Sequence, residues 1–272
     1  MKSALIPGKI SLSCFNSQSL CARKLTKLDE LRDILSVSNV DVMCISETWL
    51  SEKISDSVLC VHGYQIIRHD RVGRIGGGIA VLIKNELKFK VLRVSENESG
   101  GIDTEFILFD IMVNDCNLLV GAFYNPPDND CSCLLDLLMR EYGTMYGNIY
   151  LLGDFNTNLL NVNSAKTRRF VSVLETHGLV SIGTEPTFFY ENGQSQLDLM
   201  ITNDQSNVLR FSQVEAPVFS NHDIIFASLN FTKTPASGTY QYRNYNQINA
   251  NLLNEAFHRI DWLNFYQIDD PD

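Results

Sequence analysis

A recurring pattern runs through this chain: a short apolar stretch, then a polar side chain able to bind a cation, carry a proton or hold an anion. Asn16 follows residues 10–15, Glu47 follows 42–46, Tyr124 and Asn125 follow 118–123, and Asp154 and Asn156 follow 149–152. Asp198 stands just before 199–201, and His222 just before 224–226. If these stretches are strands lying side by side, the polar groups meet on one rim of a rigid scaffold, where function tends to sit. Such a set suits phosphodiester hydrolysis. A phosphodiester repels an anionic nucleophile, and a divalent ion held by oxygen ligands offsets that charge and stabilises the leaving oxyanion. Glu47 suits the ion. Asp154 can take a proton from water, and Asn156 can hold the phosphate or the water. A histidine can donate to a phosphoryl oxygen while a carboxylate on its other nitrogen fixes its tautomer, so Asp198 and His222 suit a dyad.

Taken singly, each residue has an ordinary role. Asp154 sits in Gly153-Asp154-Phe155-Asn156, a good turn sequence. Asn16 could cap a strand end, Glu47 could be a solvated surface charge, and Tyr124 could be a core aromatic with a satisfied hydroxyl. Asp198 could bond to backbone, and His222 could be a satisfied loop histidine. Their order along the chain is what points to a common site.

The elements that must position them alternate between strands and helices. Residues 9–15, 40–46, 64–68, 77–84, 106–113, 117–124, 148–152, 199–202, 213–216 and 224–230 read as strands, with Asn114-Asp115 turning one antiparallel pair. Leu25, Leu28, Leu31 and Leu35 recur at helical spacing, giving a helix over 23–37. Further helices are expected over 134–142 and 166–177, the latter with Gly178 in the C′ place. Glu191-Asn192-Gly193 marks a hairpin within 187–197. From Lys233 the composition turns to Thr, Pro, Ser and Gly, a linker, followed by an amphipathic helix over 249–262. The expected division is residues 1–232 as one domain and 233–272 as a linker with the start of a further segment. No fixed-period repeat is present.

The bulk composition is that of a globular protein: 272 residues, 44% hydrophobic and 20% charged, enough to bury a large core. The seven cysteines lack the paired spacing of a zinc site, which points to a reducing compartment. Cys14 and Cys44 fall in strands as small core residues. No apolar run is long enough to span a membrane. The net charge of -10 argues against a nucleic-acid partner, but a carboxylate-built site is itself acidic, and residues 68–74 are locally basic.

The motifs Cys14-Phe15-Asn16, Ser46-Glu47-Thr48-Trp49, Tyr124-Asn125-Pro126-Pro127, Gly153-Asp154-Phe155-Asn156, Ser195-Gln196-Leu197-Asp198 and Ser220-Asn221-His222 occur in this order. So arranged, the chain resembles the endonuclease–exonuclease–phosphatase superfamily over residues 9–231. It is most similar there to the apurinic-endonuclease-like domain of non-LTR (LINE-type) retrotransposons. The resemblance implies a four-layer α/β sandwich, DNase I-like, with two mixed β-sheets face to face and helices outside. It implies metal-site residues Glu47 and Asn16, Tyr124 on the scissile phosphate, Asp154 and Asn156 at the water, and Asp198 orienting His222. The family usually has aspartate before the final histidine; here Asn221 fills that place, able to ligate a metal through its amide oxygen but uncharged, and Asp223 follows.

Further implications are a Mg²⁺ cofactor, with Mn²⁺ as the alternative, and a nick in double-stranded DNA that leaves a 3′-hydroxyl to prime reverse transcription. DNA contacts are expected from Arg68, Arg71 and Arg74 before Gly76-Gly77-Gly78, and from Thr187, Asn192 and Ser195 of the hairpin. The implied partner is the reverse-transcriptase region of the same polyprotein, with the isolated domain monomeric and located, with its substrate, in the nucleus. The rival readings are an abasic-site or other phosphodiesterase of the superfamily, and a decayed, non-catalytic DNA-binding copy.

Overall fold

In the computed structural model the described residues are 5–20, 26–96, 103–191, 193–215, 220–233 and 250–259. The chain divides into two compact units, Met1–Thr234 and Pro235–Asp272. The first holds β1 (Lys9–Asn16), α1 (Thr26–Ser38), β2 (Val42–Ser46), β3 (Tyr64–His69), β4 (Ile79–Lys84), β5 (Lys88–Val94), β6 (Glu105–Val113) and β7 (Cys116–Tyr124). It continues through α2 (Ser132–Tyr142), β8 (Asn148–Asp154), α3 (Ala165–Thr176), β9 (Val180–Ile182), β10 (Phe188–Tyr190), β11 (Gly193–Ser195), β12 (Asp198–Thr202), β13 (Val208–Val214) and β14 (Ile224–Thr232). In the second unit α4 (Ala250–His258) is the described element. Among the described residues no helix is long and apolar enough to cross a membrane.

Two six-stranded sheets form, ordered β13-β14-β1-β2-β4-β3 and β5-β6-β7-β8-β12-β9, with β10-β11 as a separate hairpin. Three buried clusters show how the layers stack. Ile10, Leu12 and Cys14 of β1 meet Val120, Leu152 and Met200 of the other sheet in a central layer. The alternate residues Phe15, Met43 and Ile45 turn outward to Leu28, Leu31 and Leu35 of α1. Leu119, Ile149 and Ile201 turn outward to Leu135 and Leu138 of α2 and Phe170 of α3. The result is a four-layer α/β sandwich. The period-2 alternation of a strand lets each strand serve two layers, and each buried aliphatic side chain contributes about 2 kcal/mol.

Helix ends are set locally. Asn39 leaves α1 with φ +55 and its amide returns to Leu35 O at 2.8 Å. Ser164 caps α3 by accepting from the Thr167 amide. Past its end, Gly178 (φ +63) directs the Leu179 amide back to Leu174 O at 2.8 Å, closing a Schellman turn.

Each sheet has one parallel pair, β1–β2 and β7–β8, crossed over by α1 and α2 respectively. Parallel strands end on the same rim. The antiparallel neighbours β14 and β12 begin there. Four strand ends and two strand starts therefore share one edge of the sandwich.

Candidate active site

Asn16 ends β1 and is fully buried. Its Nδ2 donates to Glu47 Oε1 at 3.0 Å and to Asp154 Oδ2 at 2.7 Å. Two carboxylates from different sheets thus converge on one amide. Asn16 presents nitrogen to them, and its Oδ1 accepts from the Gln18 amide at 3.1 Å. In this arrangement the Asn16 amide lies between the two carboxylates.

Backbone conformation aims these groups. Glu47, Trp49 and Asn156 have φ of +51, +53 and +44, a region that costs a non-glycine residue energy and is held only when the surroundings demand it. The Glu47 segment is fixed by the Thr48 and Trp49 amides, which donate to Gly78 O and Gly77 O. Trp49 Nε1 donates to Glu47 Oε2 at 3.2 Å. Gly153 (φ +139) lets β8 lie against β7: a Cβ there would fall 1.9 Å from Phe123 O. That close approach sets Tyr124 beside Asp154 in register.

Across β8, Asp198 is the register partner of Asp154. Asp198 Oδ2 lies 2.7 Å from His222 Nδ1 and accepts from Thr187 Oγ1 at 3.0 Å. The Thr187 hydroxyl in turn accepts from the Leu197 and Asp198 amides. Phe188 lies against the imidazole, ring centroids 4.5 Å apart. Burial works against a charged imidazole, but the Asp198 carboxylate outweighs it and raises the His222 pKa to about 9. Burial, reinforced by nearby Asp198, pushes the Asp154 carboxyl well above the usual carboxylate range.

The residues fit a hard divalent cation. Ligand atoms of Asp154, Asp198 and His222 lie within 4.8 Å of one another, Asp198 Oδ1 is buried with no hydrogen-bond partner, and Glu47 adds a third carboxylate. Oxygen-rich donors of this kind suit Mg²⁺ or Mn²⁺.

The remaining expected residues divide. Tyr124 is buried on the rim, its hydroxyl pKa raised by burial and then by Glu47 and Asp154. Asn156 sits at the site, but its Nδ2 donates to Asn125 O at 2.8 Å. Asn221 is exposed and is held through its backbone: its N–H donates to Gln18 Oε1 and its carbonyl accepts from the Phe189 N–H. Thr187, expected at the DNA, is 2% exposed and its hydroxyl donates to Asp198. Ser195 lies in β11, half-buried, and Asn192 lies outside the described residues.

Two of the three arginines of the basic loop bond to carboxylates of the protein. Arg68 spends its guanidinium on Asp70, Asp56, Ile54 O and Ser51 O, and Arg71 pairs with Glu105. Arg74 is exposed. Sequence reasoning missed Phe188, Glu105 and Lys166, whose Nζ ties Asn156 O to Pro127 O at 2.7 and 2.9 Å. Lys166, opening an amphipathic helix, carries no signal of this role. Glu105, a charge opening an apolar strand, does.

A model of the endonuclease/exonuclease/phosphatase family matches residues 15–222, which spans every group just described. The chain belongs to this family. Members are hydrolytic nucleases and phosphatases, and this chain has their two-sheet fold. Among solved structures it is similar to the endonuclease domain of TRAS1, a telomere-specific non-LTR retrotransposon, at TM-score 0.64 and 16% identity, covering 82% of this chain and 100% of that one. It is also similar to the AP endonuclease LMAP from Leishmania major (TM-score 0.67, 16% identity, 86% and 91% covered). A third likeness is to the Xenopus laevis APE2 catalytic domain (TM-score 0.64, 13% identity, 84% and 94% covered). No curated protein matches the chain.

Proposed function

We propose that this family member is a Mg²⁺-dependent endonuclease that nicks one strand of double-stranded DNA for a non-LTR retrotransposon, leaving a 3′-hydroxyl and a 5′-phosphate. The observation that carries the reading is the meeting of Glu47 and Asp154 on the Asn16 amide, with the Asp198–His222 pair beside Asp154. The fold likeness to the TRAS1 domain and the order of the sequence motifs supply the retrotransposon context.

Glu47 and the adjoining carboxylates would hold Mg²⁺, which when bound offsets the phosphate charge and stabilises the departing oxyanion. Asp154, held by the Asn16 amide and the Asn156 N–H, takes one proton from the attacking water as the new O–P bond forms. Tyr124 contacts the scissile phosphate. His222, held by Asp198 through Nδ1 and protonated at neutral pH, donates from Nε2 to a phosphoryl oxygen. The P–O3′ bond breaks and the released O3′ takes a proton from solvent water to become the hydroxyl. In the full polyprotein that hydroxyl primes the reverse-transcriptase region, and the working location is the nucleus.

The test is nicking of supercoiled plasmid with Mg²⁺ or with EDTA, with mapping of the cut ends. Nicked circles that a polymerase extends directly are expected only with Mg²⁺, and loss of them in Glu47→Ala, Asp154→Ala and His222→Ala. Undiminished nicking by all three variants refutes the assignment. Faster cutting of abasic than of intact duplex moves the chain to a repair-type activity.

Asn221, in place of the family's usual aspartate, favours a second reading: a non-catalytic DNA-binding copy. An inert natural chain that Asn221→Asp converts into a nickase establishes it.

A further inference from the structure

Arg71 and the glycines after it do more than shape a surface loop. A Cβ on Gly77 (φ +68) would fall 2.2 Å from the Arg71 Cζ, so the guanidinium occupies the space that a side chain there would need. Arg71 Nε donates to Glu105 Oε1. The other carboxylate oxygen of Glu105 accepts from the Gly78 amide at 2.6 Å. The Arg71 Cζ lies 5.5 Å from the centroid of the Tyr124 ring, and Glu105 is the register partner of Tyr124 across β6 and β7. Side-chain exposures of Arg71 and Glu105 are 15% and 8%.

The pair therefore touches both sheets where they meet the site. Gly78 leads into β4 of the first sheet, and Tyr124 ends β7 of the second. A buried ion pair adds little net stability, because desolvation offsets the attraction. What it fixes is geometry: a planar guanidinium bonded to a carboxylate on one edge can lie flat on an aromatic ring, which an ammonium cannot reproduce.

We propose that the Arg71–Glu105 pair is a clamp that positions the Tyr124 ring, and with it the hydroxyl facing the phosphate, and that Arg71 is a positioning residue instead of a DNA contact. The proposal rests on the nuclease reading for its effect on rate, but not for its effect on the ring.

The test compares Arg71→Lys, Arg71→Met and the double variant Arg71→Met/Glu105→Met, which removes both charges and keeps the fold testable. The first readout needs no activity: ring resonances of labelled tyrosine, with the Tyr124 signal assigned from Tyr124→Phe. A shifted Tyr124 ring signal that averages faster in all three variants is expected, and an unchanged Tyr124 signal overturns the clamp. The second readout is Mg²⁺-dependent turnover of plasmid DNA and of bis-p-nitrophenyl phosphate. Arg71→Lys is expected to lower kcat on both about 10-fold, with KM for DNA and its salt dependence unchanged. A loss confined to DNA affinity, with a shallower salt slope, makes Arg71 a phosphate contact and overturns the proposal. Full kcat in the folded double variant overturns it too, leaving a pair that only stabilises. If the natural chain turns over neither substrate, the nuclease reading fails while the ring measurement still decides the clamp.

Discussion

Strand β2 has a carboxylate at each end, and the protein treats the two in opposite ways. Asp41, just before the strand, is 1% exposed and its charge is balanced by the protein: Ser11 N and Oγ donate to Oδ2 at 2.8 Å, and Lys233 and Lys84 form ion pairs with Oδ1 at 2.6 and 3.3 Å. Glu47, just after it, converges with Asp154 and Asp198, and no lysine or arginine of the described residues pairs with any of the three. Among the described residues their cationic neighbour is His222, bonded to Asp198. A carboxylate whose charge is balanced by built-in cations holds a structure together. A cluster whose charge is left unbalanced stores repulsion and lowers stability, and under the proposed function it is where the cation would sit.

This contrast can be broken from either end. The largest expected effect is on turnover: Asp154→Ala or His222→Ala should reduce plasmid nicking by at least about 10³-fold, while Asp41→Asn, measured per folded molecule, should leave it unchanged. Next is stability. Asp41→Ala strands two partly buried ammonium groups and should cost about 3 kcal/mol in urea unfolding, whereas Glu47→Ala should unfold at or above the natural midpoint without metal. Added Mg²⁺ should raise the melting temperature of the natural chain and of Asp41→Asn, but not of Glu47→Gln, by preferential binding to the folded state. A similar rise in Glu47→Gln would place the ion elsewhere.

The smaller effects concern the dyad. His222 has its folded pKa raised to about 9, above its unfolded value of about 6.5. The stabilisation from its charged contact with Asp198 is therefore full below the unfolded value and disappears as pH rises through about 9. In metal-free protein the melting-temperature gap between the natural chain and His222→Gln should be constant below pH 6 and close between pH 7 and 10. A pH-independent gap would mean the contact carries no charge. Thr187→Val, which removes the hydroxyl from Asp198, should lower kcat about 10-fold with little change in fold.

Much of the fold was legible in local pattern. Strands β1, β6 and β7 and helices α1 and α3 announce themselves by period, turn residues and caps. β5 was hidden because an edge strand with Lys88, Lys90 and Arg93 facing out looks like a charged loop, and β9 because it has three residues. The strand expected over 213–216 is Val208–Val214, drawn toward its N-terminus by pairing with β14. The segment expected to begin a strand at Gly77 instead turns through three positive-φ glycines, and the strand starts at Ile79.

The sequence by itself determined the chemistry on offer: which carboxylates, amides and imidazole follow which apolar stretches, and in what order. It did so because strand periodicity and turn preference are local. Only the tertiary structure decided how those groups are spent. It bonded Arg68 and Arg71 to carboxylates, set the Thr187 hydroxyl on Asp198, and put the Asn16 amide between two acids. A side chain's role depends on which charge lies next to it, and those neighbours lie from 2 residues (Arg68–Asp70) to 138 residues (Asn16–Asp154) away along the chain, brought together by a register that no local pattern encodes.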